Sequence, residues 1–137
     1  MNNLGIVKRN IMRADKSAVA KLSHFGVATI HEAMGRVGLM KPYMRPIYND
    51  ARICGTAVTV LLQPGDNWMM HVAAEQLQTG DVVVAACTTD NADGFFGDLL
   101  ATSFMARRAV GLISDGGGRH GRDLTGMKRP GCARAIH

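Results

Sequence analysis

Arg52–Cys87 reads RICGTAVTVLLQPGDNWMMHVAAEQLQTGDVVVAAC, and its changes of period decide the fold class. Arg52–Leu62 alternates, with Ile53, Ala57, Thr59 and Leu61 on one side and Cys54, Thr56, Val58 and Val60 on the other. Both sets are apolar enough to predict a strand covered on both faces. Pro64-Gly65-Asp66-Asn67 breaks the alternation and starts a helix through Gln78, in which Met69, Val72, Ala73 and Leu77 recur at helical spacing. Trp68 and the Met69-Met70 pair read as core. Gly80-Asp81 then turns into a second strand, Val82–Cys87, short and valine-rich.

Downstream, a polar loop over 88–94 leads to Phe95-Phe96-Gly97-Asp98, a third helix over Leu99–Arg108 and a third strand over Val110–Ile113. Strand, helix, strand, helix, strand predicts an α/β fold in a single domain spanning 1–137. Upstream, Asp15 caps a short helix over Lys16–His24 that stops at Gly26. Thr29 and Glu32 have capping-box spacing and open a second helix closed by Gly35. Residues 36–50, with Gly38, Pro42 and Pro46, read as loop. After Ile113 the glycines at 116, 117, 118, 121, 126 and 131 leave little to bury, so that stretch also reads as loop. Ala135-Ile136-His137 has the look of a strand just beginning, which reads as an abrupt C-terminal truncation.

A chain of 137 residues suits one core. No apolar run approaches membrane-span length, and Met1–Arg9 lacks a signal layout, so the cytoplasm is expected. Three cysteines without CxxC spacing indicate neither a zinc site nor a disulfide framework. The net charge of +5 arises entirely after residue 106, where seven Lys/Arg face two Asp/Glu. Those charges are scattered among Gly and Pro, with no aromatic residue after Phe104 to stack a base. A small anionic substrate or simple solvation therefore fits better than nucleic acid.

Two strand-to-helix junctions carry the candidate chemistry. At 115–121, DGGGRHG formally contains a GxGxxG pattern, but no long helix follows and no acidic residue stands about twenty positions on, so dinucleotide binding is not expected. Glycines after a strand also let backbone N–H groups meet an anion, and Arg119 there can hold a carboxylate or enolate oxygen in bidentate fashion. An ordinary loop with a solvated arginine is the alternative. At Gly97-Asp98-Leu99-Leu100, Asp98 suits a helix start, and the free N–H groups of 98–100 make a carboxylate seat. If the second and third strands are parallel, the loops at 88–98 and 114–120 share one edge and Asp98 and Arg119 face one pocket. His24, His31 and His71 lack mutual ligand spacing and read as surface or packed residues. Cys87 ends a strand and reads as inert.

The order Gly65-Asp66-Asn67, then Gly97-Asp98-Leu99-Leu100-Ala101-Thr102, then DGGGR over 115–119 resembles the RraA-like superfamily. GVATIHEA over 26–33 and GLMKPYMRPI over 38–47 are similar to its aldolase branch, which cleaves 4-hydroxy-4-methyl-2-oxoglutarate and 4-carboxy-4-hydroxy-2-oxoadipate in aromatic compound catabolism. The resemblance implies a β/β/α sandwich of the swivelling-domain type, here incomplete at the C-terminus, in homotrimers or homohexamers with sites between subunits. It implies a lyase that uses Mg²⁺ or Mn²⁺ to release pyruvate from a 2-oxo diacid, with oxaloacetate decarboxylase side activity. Carried over by position, Gly97, Leu99 and Leu100 offer backbone contacts to substrate, Asp98 helps hold metal-bound water, and Arg119 contacts substrate and enolate.

One position departs from that pattern. The family follows this arginine with an aspartate that ligates the metal, and here the position is His120. Imidazole is a poor ligand for Mg²⁺ and an acceptable one for Mn²⁺ or zinc. The family pattern also continues well beyond Ile136, with further strands and an acidic residue that reaches a neighbouring subunit's site. The expectation is therefore weak or no aldolase turnover and poor folding of the isolated chain. Two other readings compete: a non-catalytic binding protein of the ribonuclease E inhibitor type, and an inactive truncated remnant.

Overall fold

A computed structural model describes residues 5–127 and 130–137. Lys128 and Arg129, two contributors to the basic C-terminal excess, lie outside the described residues, as do Met1–Leu4. The elements run α1 (Lys16–Leu22), α2 (Val27–Ala33), β1 (Arg45–Pro46), β2 (Thr56–Leu62), α3 (Trp68–Gln76), β3 (Asp81–Cys87), β4 (Gly94–Phe96), α4 (Asp98–Ala106), β5 (Gly111–Gly118), α5 (Gly121–Gly126) and β6 (Gly131–Ile136).

The sheet has six strands in the order β1-β6-β5-β3-β2, with β4 beside β5. Strands β2, β3, β5 and β6 are mutually parallel, and only β1 runs antiparallel, against β6. The α/β class expected from the alternating pattern is the one observed. Helices α3, α4 and α5 bury Met70, Ala73, Ala74, Leu100, Ala101, Phe104 and Leu124 in one cluster with Val58, Val60, Leu62, Val83, Ala85 and Leu112 of the sheet. That side of the sheet is the core.

The other side differs from expectation. Along β2, Val58, Val60 and Leu62 are buried, whereas Ala57, Thr59 and Leu61 are exposed. The strand is covered on one face, because α3, α4 and α5 all pack on the same side and α1 and α2 bury none of their residues. Trp68 is 67% exposed and is not core; Met70, one position beyond Met69, is the fully buried residue of α3. The capping-box reading of α2 also fails: the helix begins two residues before Thr29, with Gly26 as its N-cap. Asp15 does cap α1, its side chain accepting from Ala18 N at 2.8 Å.

The glycine-rich segment is ordered, against the loop reading. Strand β5 runs on through Gly118, α5 follows, and β6 starts at Gly131 rather than at Ala135. Past Asp115, β5 is no longer held by β3, which stops at Cys87; β4 takes over that flank, pairing Gly94 with Gly117 and Phe96 with Gly118. The N-terminal arm is fastened separately. The Asp81 carboxylate, fully buried, accepts from Arg13 Nε at 3.2 Å, Arg13 Nη2 at 2.7 Å and Gln78 N at 2.7 Å.

Candidate functional site

The handover from β3 to β4 creates the site. β4 leads within one residue into α4, so the N-terminus of that helix stands beside the end of β5, where Arg119 and His120 begin. Arg119 N donates to Phe96 O at 2.7 Å, locking the two segments together. Because β3 and β5 pair in parallel, the loops leaving both strands open on one edge.

Asp98 opens α4 and is half-buried; its Oδ1 lies 2.7 Å from His120 Nδ1. That hydrogen bond is the main reason the Asp98 carboxyl titrates below its ordinary range; desolvation opposes it and the Leu99 N–H assists. His120 is the N-cap of α5 with φ 59° and ψ 45°. This left-handed conformation is uncommon for a residue with a side chain, although His is among those that adopt it more readily. It turns the ring toward α4.

Two glycines keep the space open. A Cβ on Gly94 would collide with Cγ and Cδ of Arg119, so the arginine stem lies across bare backbone there. A Cβ on Gly97 would come within 3.3 Å of His120 Nδ1. Arg119 and Asp98 therefore stand on the same edge of the sheet, with His120 touching Asp98 directly. Leu99 projects outward at 80% exposure, whereas Leu100 is buried in the core, so Leu100 can offer only its backbone to a ligand. The N–H groups of Asp98, Leu99 and Leu100 lie in the first turn, ahead of the first helical bond from Ala101 N to Gly97 O.

Sequence reasoning missed Asp123. It sits in the first turn of α5, and its carboxylate, Asp98 and His120 each offer a ligand atom within 4.8 Å of the others. The available signal was an Arg-Asp dipeptide, Arg122-Asp123, three residues after Arg119-His120. The donor set is one imidazole and two carboxylates, which fits a divalent cation and suits Mn²⁺ or zinc better than Mg²⁺. His24, His31 and His71 lie outside this set.

A second polar group, also missed, braces the neighbouring strand ends. Arg134 on β6 donates Nε to Asp115 Oδ1 at 2.9 Å, donates Nη2 to Asp90 Oδ1 and to the Tyr43 hydroxyl at 3.0 Å each, and stacks 4.2 Å from the Tyr43 ring centre. Desolvation, followed by the Asp115 charge, pushes the Tyr43 phenol above its ordinary range. The contacts pin the 36–50 segment to β5 and β6, giving part of the GLMKPYMRPI stretch a structural duty.

A mostly parallel sheet whose strand ends carry an arginine beside a helix N-terminus and a His/carboxylate cluster defines an α/β protein with a candidate divalent-cation site. The family model described as Aldolase/RraA matches residues 27–137, and the chain belongs to this RraA-like family. Among solved structures, it resembles an uncharacterized protein from Pseudomonas syringae pv. tomato str. DC3000 at 20% identity and TM-score 0.77, covering 93% of this chain and 62% of that one. It resembles the RNA-processing inhibitor RraA of Thermus thermophilis at 15% identity and TM-score 0.70, covering 82% and 68% of the two chains. Streptomyces coelicolor RraAS2, an unusual member of the RNase ES inhibitor RraA protein family, matches at 21% identity and TM-score 0.77, covering 91% and 66%. These likenesses establish the fold. The chain spans roughly two thirds of the length of the structures it matches, 62% in the first case. Among the described residues, no helix is long and apolar enough to cross a membrane.

Proposed function

We propose that this chain carries the site of a divalent-metal-dependent class II pyruvate aldolase acting on 4-hydroxy-4-methyl-2-oxoglutarate or 4-carboxy-4-hydroxy-2-oxoadipate. The observation that carries the reading is the convergence of Asp98, His120 and Asp123 on one edge of the sheet beside Arg119. A bound dication supplies Lewis-acid polarisation of the substrate's 2-oxo group. The chain's own residues do the rest. Cleavage breaks the C3–C4 bond as the 4-hydroxyl proton passes to solvent water and the C4 carbonyl forms. The bonding pair stays on the pyruvate half as an enolate, which takes a proton back from water at C3 to give pyruvate. Arg119 meets that developing charge, and the N–H groups of Asp98, Leu99 and Leu100 seat a substrate carboxylate. Asp98 orients the His120 ring through the 2.7 Å bond. Oxaloacetate decarboxylation passes through the same enolate and is expected as a side activity.

Exposed Leu22, Phe25, Val27 and Met34 on and beside α1 and α2 support assembly into a homotrimer or homohexamer. The competing reading, a non-catalytic partner of a ribonuclease, is favoured by the names of two structural neighbours. A coupled pyruvate assay with Mg²⁺ and Mn²⁺, run on the chain and on His120→Asp, tests the proposal. The chain should turn over weakly with Mg²⁺ and the variant faster. Arg119→Ala in the faster background should lose about 100- to 1,000-fold in kcat, the usual loss on deleting a group that stabilises an oxyanion. Robust turnover with Mg²⁺ by the unmodified chain would contradict the role given to position 120. If no variant releases pyruvate and a ribonuclease E fragment is captured, the binding-protein reading replaces the aldolase.

A further inference from the structure

We infer that Asp123 supplies the carboxylate that position 120 lacks, giving a nitrogen-and-two-oxygen site that selects a transition dication such as Mn²⁺, Co²⁺ or Zn²⁺ over Mg²⁺. The inference rests on the metal-dependent reading above and concerns which side chains hold the ion.

Sequence and local structure lead there together. Residues 119–123 read RHGRD, so an arginine-aspartate pair stands three positions downstream of Arg119-His120. His120 caps α5 and Asp123 is the third residue within it, and a separation of three places both on one side of the opening turn. The left-handed backbone at His120 directs its ring to Asp98 while the helix that starts after it lifts Asp123 toward the same point. Among the described residues the Asp123 carboxylate has no hydrogen-bond or ion-pair partner, whereas Asp98 is bonded to His120. Bonds of about 2.0–2.2 Å from an ion to nitrogen and oxygen donors place neighbouring donor atoms roughly 3–4 Å apart. A set already within 4.8 Å closes on an ion with modest side-chain rotation and no backbone movement.

The donor chemistry sets the preference. Mg²⁺ sheds water reluctantly and favours oxygen ligands in a regular octahedron, so an imidazole in the set works against it. Later first-row dications accept imidazole readily and bind mixed nitrogen and oxygen sites more tightly along the series to copper, with zinc close behind. Gly97 reinforces this choice by leaving room for the ring, since a Cβ there would press on Nδ1.

The test uses metal binding as its readout. The purified chain is titrated with Co²⁺, followed by visible absorption, then with Zn²⁺ by calorimetry, each repeated in excess Mg²⁺. One ion per chain is expected, undisturbed by an approximately hundredfold excess of Mg²⁺, in line with the hard-cation preference for all-oxygen sites. Asp123→Asn should weaken Zn²⁺ binding by at least about tenfold, the scale seen when groups in a metal site are removed. Asp123→Ser, a residue well suited to a helix start, provides a second variant should the first fold poorly, and Asp50→Asn controls for removing an exposed charge. His120→Asp should shift the preference toward Mg²⁺. Equal Zn²⁺ affinity in the chain, Asp123→Asn and Asp123→Ser overturns the inference and leaves the metal-dependent reading intact. Absence of metal binding in both the chain and His120→Asp overturns both.

Discussion

Replacing Arg13 by Met should cost this chain more stability than almost any other change to a partly exposed residue. Asp81 is fully buried, and two of the three hydrogen bonds to its carboxylate come from Arg13. The same guanidinium donates to Ile11 O at 2.8 Å and Gln76 O at 2.7 Å, so it ties the N-terminal arm to the C-terminal end of α3. Met fills similar volume and removes every donor, leaving the carboxylate with Gln78 N. Breaking a buried pair from one side costs about 3–5 kcal/mol, because a charge is stranded away from water. For a chain of this size each kcal/mol moves the melting temperature by roughly 3–5 °C, giving a fall of roughly 10–20 °C. Asp81 holds the Arg13 pKa above its ordinary value, chiefly through the hydrogen bond. A raised basic pKa contributes stability below the unfolded value and loses it only above the folded one, so the effect should persist at neutral and mildly alkaline pH. Urea and thermal melts followed by circular dichroism measure it. Asp81→Asn should relieve the stranded charge, making the double variant no worse than Arg13→Met alone. Strict additivity of the two changes, or a loss under about 1 kcal/mol for Arg13→Met, would refute the reasoning, since surface changes fall within about 0.5 kcal/mol.

Two further outcomes follow from close contacts and burial. Gly94→Ala sets a Cβ against the Arg119 stem, so pyruvate release should fall at least about tenfold, the order expected when a positioning contact is lost, while secondary structure is retained; activity equal to the parent would show that Arg119 does not need that path. Burial raises the Cys132 thiol pKa, so near pH 8 it holds less thiolate than a free cysteine and iodoacetamide should label it more slowly, the rate climbing as pH rises further; peptide mapping that finds it alkylated as fast as free cysteine would contradict this.

The core was legible where period and length agreed. RICGTAVTVLL, the helix after Pro64 and the valine run after Gly80 announce β2, α3 and β3, and their parallel pairing follows from the helix between them. What was not legible depended on long-range pairing. Glycine has poor strand propensity, so Gly116–Gly118 reads as loop until β4 and β6 supply backbone partners on either side. Which sheet face α1 and α2 would cover is equally invisible in their sequences, and the assumption that β2 is enclosed failed there. Asp98 and Arg119 were visible as residues at strand ends, because topology brings such loops together. Asp123 was not, since its approach to His120 depends on where a six-residue helix begins.

The glycine run also changes meaning once the packing is known. On sequence grounds, glycines after a strand leave room for a ligand, yet Gly116 and Gly117 are buried and face protein. A Cβ on Gly116 would meet the Phe95 ring, and one on Gly117 would meet the carbonyl oxygens of Ala92 and Asp93. These residues let β4 close against β5, with Gly117 N donating to Asp93 O at 2.7 Å. That closure fixes where β4 ends, and thus where α4 begins with Asp98 as its first residue. The run therefore acts on the site from behind: bare backbone in β5 sets the position of a carboxylate on another element, and Gly94 and Gly97 on the approaching segment clear the path for Arg119 and His120. A site assembled this way is sensitive to side-chain volume at positions that never touch a ligand, and its chemistry and its packing cannot be varied independently.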